Sequence, residues 1–232
     1  IFAYCIVMLL PLTLWYSRNF SVVWRTLIVL VMALALGASF SRSGYVALLV
    51  GALYAIWHWR TLCLRYFTPL RITLLALLMS IILLSPVATR FVSSFSSDDG
   101  SVSERSRLLQ EALVNVQKAP LAGVGLGNYP LLVKPTAEFR EPIYVHNMYL
   151  DIAVELGLIG LGLFLSFCIA VFLLPQKSAT LPVAPRTLLV TSLGMFAAQS
   201  LFENPLFSVH ITPLFLLFLA LLYVEPASQD FV

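Results

Sequence analysis

The chain has 232 residues, of which 60% are hydrophobic and 11% charged, and its mean hydropathy is +0.93. A soluble domain of this length cannot bury so much apolar surface, so composition excludes an ordinary water-soluble globule and points to helices that face lipid or one another. A formal net charge of +3 on such a chain bears on membrane orientation and gives no ground for nucleic-acid binding.

A membrane-crossing helix needs about 20 mainly apolar residues. Seven runs qualify: 1–16, 22–41, 43–59, 70–89, 148–174, 187–203 and 207–224. The expected fold is all-α, a polytopic membrane helical bundle with one long periplasmic loop that contains an amphipathic helix. Four spans fill 1–89, the loop takes 90–147, and three spans and a short cytoplasmic tail fill 148–232. Because the chain opens on Ile1 inside an apolar run, further spans are expected ahead of it, and no signal peptide can be read. The last two spans are short and separated only by Glu203-Asn204-Pro205, which predicts a tight hairpin. Cys5, Cys63 and Cys168 are odd in number and widely spaced; they offer no disulfide framework or metal-ligand spacing and read as small apolar residues.

Lys and Arg set the orientation. Arg18, Arg25, Arg60, Arg65, Arg71, Lys177 and Arg186 cluster at three short connections, whereas the short turns on the opposite side carry only Arg42. Bases in short loops stay in the cytoplasm, and long loops cross largely regardless of charge. Arg42, the 90–147 loop and the 203–207 turn therefore share the outer face.

Within the loop, Ser101-Val102-Ser103-Glu104 reads as a capping box, with Ser101 at the N-cap and Glu104 at N3. A helix over 102–118 places Leu108, Leu109, Ala112, Leu113 and Val116 on one face. Arg105 falls in the middle of that face, while Arg107 lies opposite, with Glu111 one turn on as a solvent-side pair. Pro120 and Gly123-Val124-Gly125-Leu126-Gly127 end the helix in a turn. This run is not a nucleotide-binding loop, because no strand precedes it. Asp98-Asp99 sits in Ser/Gly-rich sequence and reads as solvated loop. His58, between Trp57 and Trp59, reads as part of a cytoplasmic aromatic belt, and His210 reads as structural.

Three outer-face side chains stand out. Arg42, in Ser39-Phe40-Ser41-Arg42-Ser43-Gly44, is either a snorkelling arginine or a fixed cation able to grip a phosphate bidentately. Arg105, a guanidinium amid apolar residues, must find an anion: a substrate phosphate, or a structural acid such as Glu138 or Glu141. His146 opens the fifth span, and Asn147, Asp151 and Glu155 follow at four-residue steps along one stripe. Two carboxyls in the first turns of a span must face a polar cavity or a partner. Glu155 is expected to orient its helix by bonding to neighbouring spans, while His146 at the mouth can exchange protons near neutral pH.

These segments together resemble the O-antigen ligase and O-antigen polymerase family of bacterial membrane glycosyltransferases. The likeness rests on Phe40-Ser41-Arg42-Ser43-Gly44, and on Glu104-Arg105 with Leu109, Ala112 and Leu113, then Ala119-Pro120-Leu121-Ala122-Gly123 through Asn128-Tyr129. It is completed by His146-Asn147, Tyr149-Leu150-Asp151, Glu155, Gly157 and Gly160. It covers about residues 25–175; Leu109 stands where many relatives carry Trp, which touches packing alone. The resemblance implies a GT-C-like, multi-pass enzyme of the bacterial inner membrane, with its active site facing the periplasm. Its donor would be an undecaprenyl diphosphate-linked glycan and its acceptor a lipid A-core sugar hydroxyl (a ligase) or a second lipid-linked glycan (a polymerase). On this reading Arg42 and Arg105 hold the diphosphate, His146 activates the acceptor, and Asn147, Asp151 and Glu155 support it. Direct attack inverts the anomeric centre, and no cofactor or metal is implied. A transporter or lipid-binding channel is the alternative from another class; it would favour inverted repeats and broken helices at the midplane, and the sequence shows no such internal symmetry.

Overall fold

The structure, a computed structural model, describes residues 2–17, 19–39, 41–58, 100–134, 143–173, 183–206 and 208–223. The described residues form helices and connections, with no strand among them. The helices are α1 (Phe2–Ser17), α2 (Val22–Ala38), α3 (Arg42–His58), α4 (Gly100–Lys118), α5 (Tyr129–Val133), α6 (Met148–Leu173), α7 (Val183–Gln199) and α8 (Ile211–Tyr223). Six of the seven expected apolar runs are thus helical; the run 70–89, Asp98-Asp99, Glu138, Glu141 and Cys63 lie outside the described residues. One described helix, over Met148–Val171, is long and apolar enough to cross a membrane by itself, and α1, α2 and α8 contain shorter apolar stretches.

α7 is the centre of the bundle. Its Leu189, Leu193 and Phe196 pack with Tyr4 and Met8 of α1, Met148 of α6 and Ile211, Phe215 and Phe218 of α8. Phe196 stacks on Phe215 at 4.6 Å between ring centroids and meets Tyr4 edge-on at 5.8 Å. On its other side Met195 joins Leu36 of α2 and Ala47 of α3. Gly51 of α3 lies under Met195 so closely that a Cβ there would sit 2.4 Å from the sulfur, which is why α3 and α7 come together at a glycine. The periphery is the reverse of a soluble protein's. Val23, Trp24, Val31 and Leu34 of α2 and Leu163, Phe167 and Ile169 of α6 are all exposed, a continuous apolar exterior of the kind that marks an interaction or membrane surface.

Two boundaries differ from expectation. α7 stops at Gln199 instead of running to 203, so the connection to α8 spans 200–210 rather than forming a tight hairpin. The backbone tightens at the end, Leu201 donating to the Ala198 carbonyl at 3.3 Å and Phe202 to the Gln199 carbonyl at 3.0 Å; farther on the Asn204 side chain accepts from the Leu206 amide at 3.1 Å, and Pro205 has no amide to resume a helix. α4 starts at Gly100, which puts Ser101 inside the helix. The Glu104 carboxylate is taken by Arg107 instead of reaching back in a capping box.

Candidate functional site

The approach to α6 is held from three sides. Asn147 caps the helix, its Oδ1 accepting the Leu150 amide at 2.9 Å, as an N-cap should. The Met148 amide donates to the Ser200 carbonyl at 2.9 Å. Asp151, 3% exposed, accepts the Val145 amide at 3.3 Å on one oxygen and the Asn204 side-chain amide on the other. One buried carboxylate thus ties the segment before α6 to the turn before α8. Between these anchors His146 takes a left-handed backbone (φ 55°), the one non-glycine with positive φ among the described residues. Such strain persists where the surroundings over-determine it, and here it aims the imidazole at Glu203.

Glu203 is the hub. Its Oε2 meets His146 Nδ1 at 3.1 Å, and its Oε1 accepts from Arg105 Nη2 at 3.1 Å. Burial pushes the Glu203 carboxyl up, but the His146 hydrogen bond and the Arg105 charge outweigh it and hold the group below its ordinary range. A carboxylate on Nδ1 fixes which ring nitrogen carries the proton, leaving Nε2 to act as a base. Tyr144 flanks the ring at 4.8 Å between centroids, and burial raises its phenol.

Arg105 therefore has an anionic partner, supplied by the 200–210 turn, whereas the expected structural partners were Glu138 and Glu141. Its side chain stays 44% exposed, with guanidinium donors to spare. The helix face also differs from projection. Leu108 and Ala112 are buried, Ala112 against Tyr129, Val145 and Val154, but Leu109 and Leu113 are 40% and 45% exposed. The buried stripe runs through 108 and 112, and the exposed Arg105 lies just before it on the helix. Tyr129 locks the stripe by donating to the Leu108 carbonyl at 3.0 Å. Arg107 pairs with Glu111 as expected, and also with Glu104; its hydrogen bonds hold the Glu104 carboxyl below its usual range.

Arg42 opens α3. Ser41 caps that helix by accepting the Gly44 amide at 3.2 Å, and its hydroxyl lies 3.0 Å from that of Ser43. Ser41 and Ser43, on either side of Arg42, line a cavity of about 150 Å³ that Tyr144 and Glu203 also line. Arg42 itself is not among the residues that line this cavity.

Glu155 departs from expectation. It is 4% exposed, yet no described residue hydrogen-bonds its carboxyl; it lines a largely apolar cavity of about 180 Å³ with Asp151 and Phe164. What orients the helix there is backbone. At Gly157 (φ 71°, ψ −176°) α6 breaks, and the glycine loop straps the break. Val124 and Gly125 donate to the carbonyls of Val154 and Glu155 at 2.9 Å each, while Leu158 donates to the Pro120 carbonyl at 2.7 Å. A Cβ on Gly157 would lie 2.0 Å from the Leu121 oxygen, so the two chains can touch only as glycine.

Sequence reading missed Glu203, Asn204 and Gln199. The available signal was an acid beside Asn-Pro between two short apolar runs, where an unpaired charge is costly. Among the described residues no group of three or more His, Cys, Asp and Glu is placed to hold a metal ion.

Comparison with curated proteins and with solved structures gives no match. Residues 27–165, more than half of the chain, match the sequence model of a family described as O-antigen ligase. That stretch holds Arg42, Arg105 and His146 and ends short of Glu203. A match of this extent over these segments places the chain in the O-antigen ligase family.

Proposed function

We propose that the protein is an O-antigen ligase that moves a glycan from undecaprenyl diphosphate to a lipid A-core sugar hydroxyl at the periplasmic face of the inner membrane. The observation that carries this is the junction at Glu203 of Arg105 and His146, a cation and a base 98 and 57 residues away in sequence. In the proposed reaction His146 Nε2 takes the proton of the acceptor hydroxyl, and Glu203 stabilises the imidazolium that forms. The acceptor oxygen attacks the anomeric carbon as the bond to the diphosphate oxygen breaks, which inverts that centre. The diphosphate leaves with its growing charge met by Arg105 and Arg42. Asn147 and Asp151 hold His146 in place from the α6 side.

The exposed apolar faces of α2 and α6 support a multi-pass placement with 1–89 and 148–232 in the membrane and 90–147 on its outer side. The break at Gly157 is a feature that transporters use to line a path. Here the glycine loop bonds the freed backbone groups, which favours a fixed scaffold over a conduit.

The test is transfer by the purified, membrane-reconstituted protein, given lipid-linked glycan with either lipid A-core or a second lipid-linked glycan. Glycan joined to lipid A-core is expected. Elongated lipid-linked glycan alone would make the protein a polymerase, and no transfer to either acceptor would overturn the glycosyltransferase reading.

A further inference from the structure

The cavity beside Glu203 has a chemistry that the transfer reaction has not yet used. Its walls come from α1, the start of α3, the end of α7, Tyr144 and the 200–210 turn. Three of its lining residues are buried with polar side chains: Tyr4 is 4% exposed, Ser43 6% and Gln199 1%. Gln199 Nε2 donates to the Ser43 hydroxyl at 3.4 Å, but among the described residues neither Gln199 Oε1 nor Tyr4 Oη makes a hydrogen bond of normal geometry, the Ser200 hydroxyl lying close to Tyr4 Oη. The neighbouring Ser200 hydroxyl donates to the Phe196 carbonyl at 2.8 Å. A buried polar atom without a partner is destabilising, and such atoms in native proteins call for a ligand or bound water. Here one orphan is a phenol and the other an amide acceptor, in a space of about 150 Å³. Liquid water occupies about 30 Å³ per molecule, so the space far exceeds one water.

The charge around it selects the occupant. Glu203 is the ionised group in the wall, so a phosphate would be repelled there, and the diphosphate belongs with the arginines. A neutral ring bearing hydroxyls suits the rest: Tyr4 Oη donates to it, Gln199 Oε1 and the serine hydroxyls accept from it, and the Tyr144 ring offers an apolar face. Tyr144 also packs on His146, so a ring bound in this cavity lies beside the proposed base. We infer that this cavity is the acceptor-sugar pocket, in which Tyr4 and Gln199 recognise the hydroxyls of a single neutral sugar residue and present another hydroxyl to His146. This rests on the transferase reading and deepens it, by making Tyr4 and Gln199 determinants of acceptor specificity.

The experiment uses Tyr4→Phe and Gln199→Leu in the reconstituted protein, with purified lipid-linked glycan as donor and core lipopolysaccharide lacking O-glycan as acceptor. Each variant should raise the acceptor KM about 3- to 10-fold, the worth of one neutral hydrogen bond, while the donor KM holds. Core acceptors that lack single hydroxyls should bind wild type as weakly as the variants and lose nothing further in them. A purely structural role predicts otherwise. Removing an orphan polar atom would then leave the acceptor KM unchanged and raise thermal stability, and that result overturns the pocket. Tyr4→Phe removes a single oxygen, so it carries the test if Gln199→Leu fails to fold. The two readings fail separately: wild type that transfers to no glycan acceptor overturns the transferase, whereas transfer with unmoved acceptor KM in the variants overturns the sugar pocket alone.

Discussion

Glu203→Gln separates a transferase built on a His146 base from one in which His146 merely fills space. The amide keeps the size of the side chain and can still hydrogen-bond, so packing of the 200–210 turn should survive. What disappears is the negative charge 3.1 Å from both His146 Nδ1 and Arg105 Nη2. A fully buried orienting carboxylate in a serine-protease triad is worth about 10⁴ in kcat, whereas an exposed ion pair contributes about 0–1 kcal/mol. The Glu203 side chain is 29% exposed and shares its charge with Arg105, which puts it between these limits. A 10- to 100-fold fall in kcat is expected, or about 1.4–2.7 kcal/mol. Donor KM should hold or fall, because Arg105 is released to the diphosphate. Initial rates of transfer at saturating donor and acceptor provide the assay. The double variant with His146→Ala should be no slower than His146→Ala alone, since Glu203 acts through the imidazole. Wild-type turnover in Glu203→Gln, or losses that multiply in the double variant, would refute the reasoning.

Arg105→Ala should lower transfer about 10²- to 10³-fold, the typical loss for one donor to a developing charge. Arg107→Ala, whose ion pairs are all on the exposed side of α4, should be nearly silent; equal losses in the two would count against the site. His146→Ala should still bind the lipid-linked donor but transfer about 10²- to 10⁴-fold more slowly. The depressed folded value of Glu203 means that its contribution to stability is complete above the ordinary glutamate pKa of about 4.3 and is lost only as pH falls through the lower folded value. The melting-temperature difference between wild type and Glu203→Gln should therefore hold at neutral pH and shrink only as pH falls below about 4.3; a difference that shrinks near neutrality would sink the assignment. Gly157→Ala forces an L-residue into a glycine-only conformation, worth about 1–3 kcal/mol in strain, and against the Leu121 carbonyl. Loss of folded protein in detergent, measured by size-exclusion profile and melting temperature, is expected, and wild-type behaviour would mean that the strap is not needed.

The helices, and the side chains worth watching, follow from the sequence because both depend on local quantities. Apolar run length placed six of the described helices, and an arginine or histidine at the end of such a run is conspicuous wherever it occurs. The four-residue spacing put Asn147, Asp151 and Glu155 on one stripe, but spacing cannot say what a stripe faces. Only the tertiary structure made Asn147 a cap, Asp151 a tie to Asn204, and Glu155 a carboxyl that no described residue hydrogen-bonds, beside a break. Projection could place Arg105 among Leu108 and Ala112, but not decide which acid would meet it. Glu203 is 98 residues away, and no periodicity carries information across that distance. Its position depends on α7 stopping at Gln199, beyond which the Ser200 carbonyl accepts from the Met148 amide and Asn204 meets Asp151 of α6. Hydrophobic pattern is thus written into the chain residue by residue, whereas the meeting of Arg105, His146 and Glu203 is a property of how three helices pack.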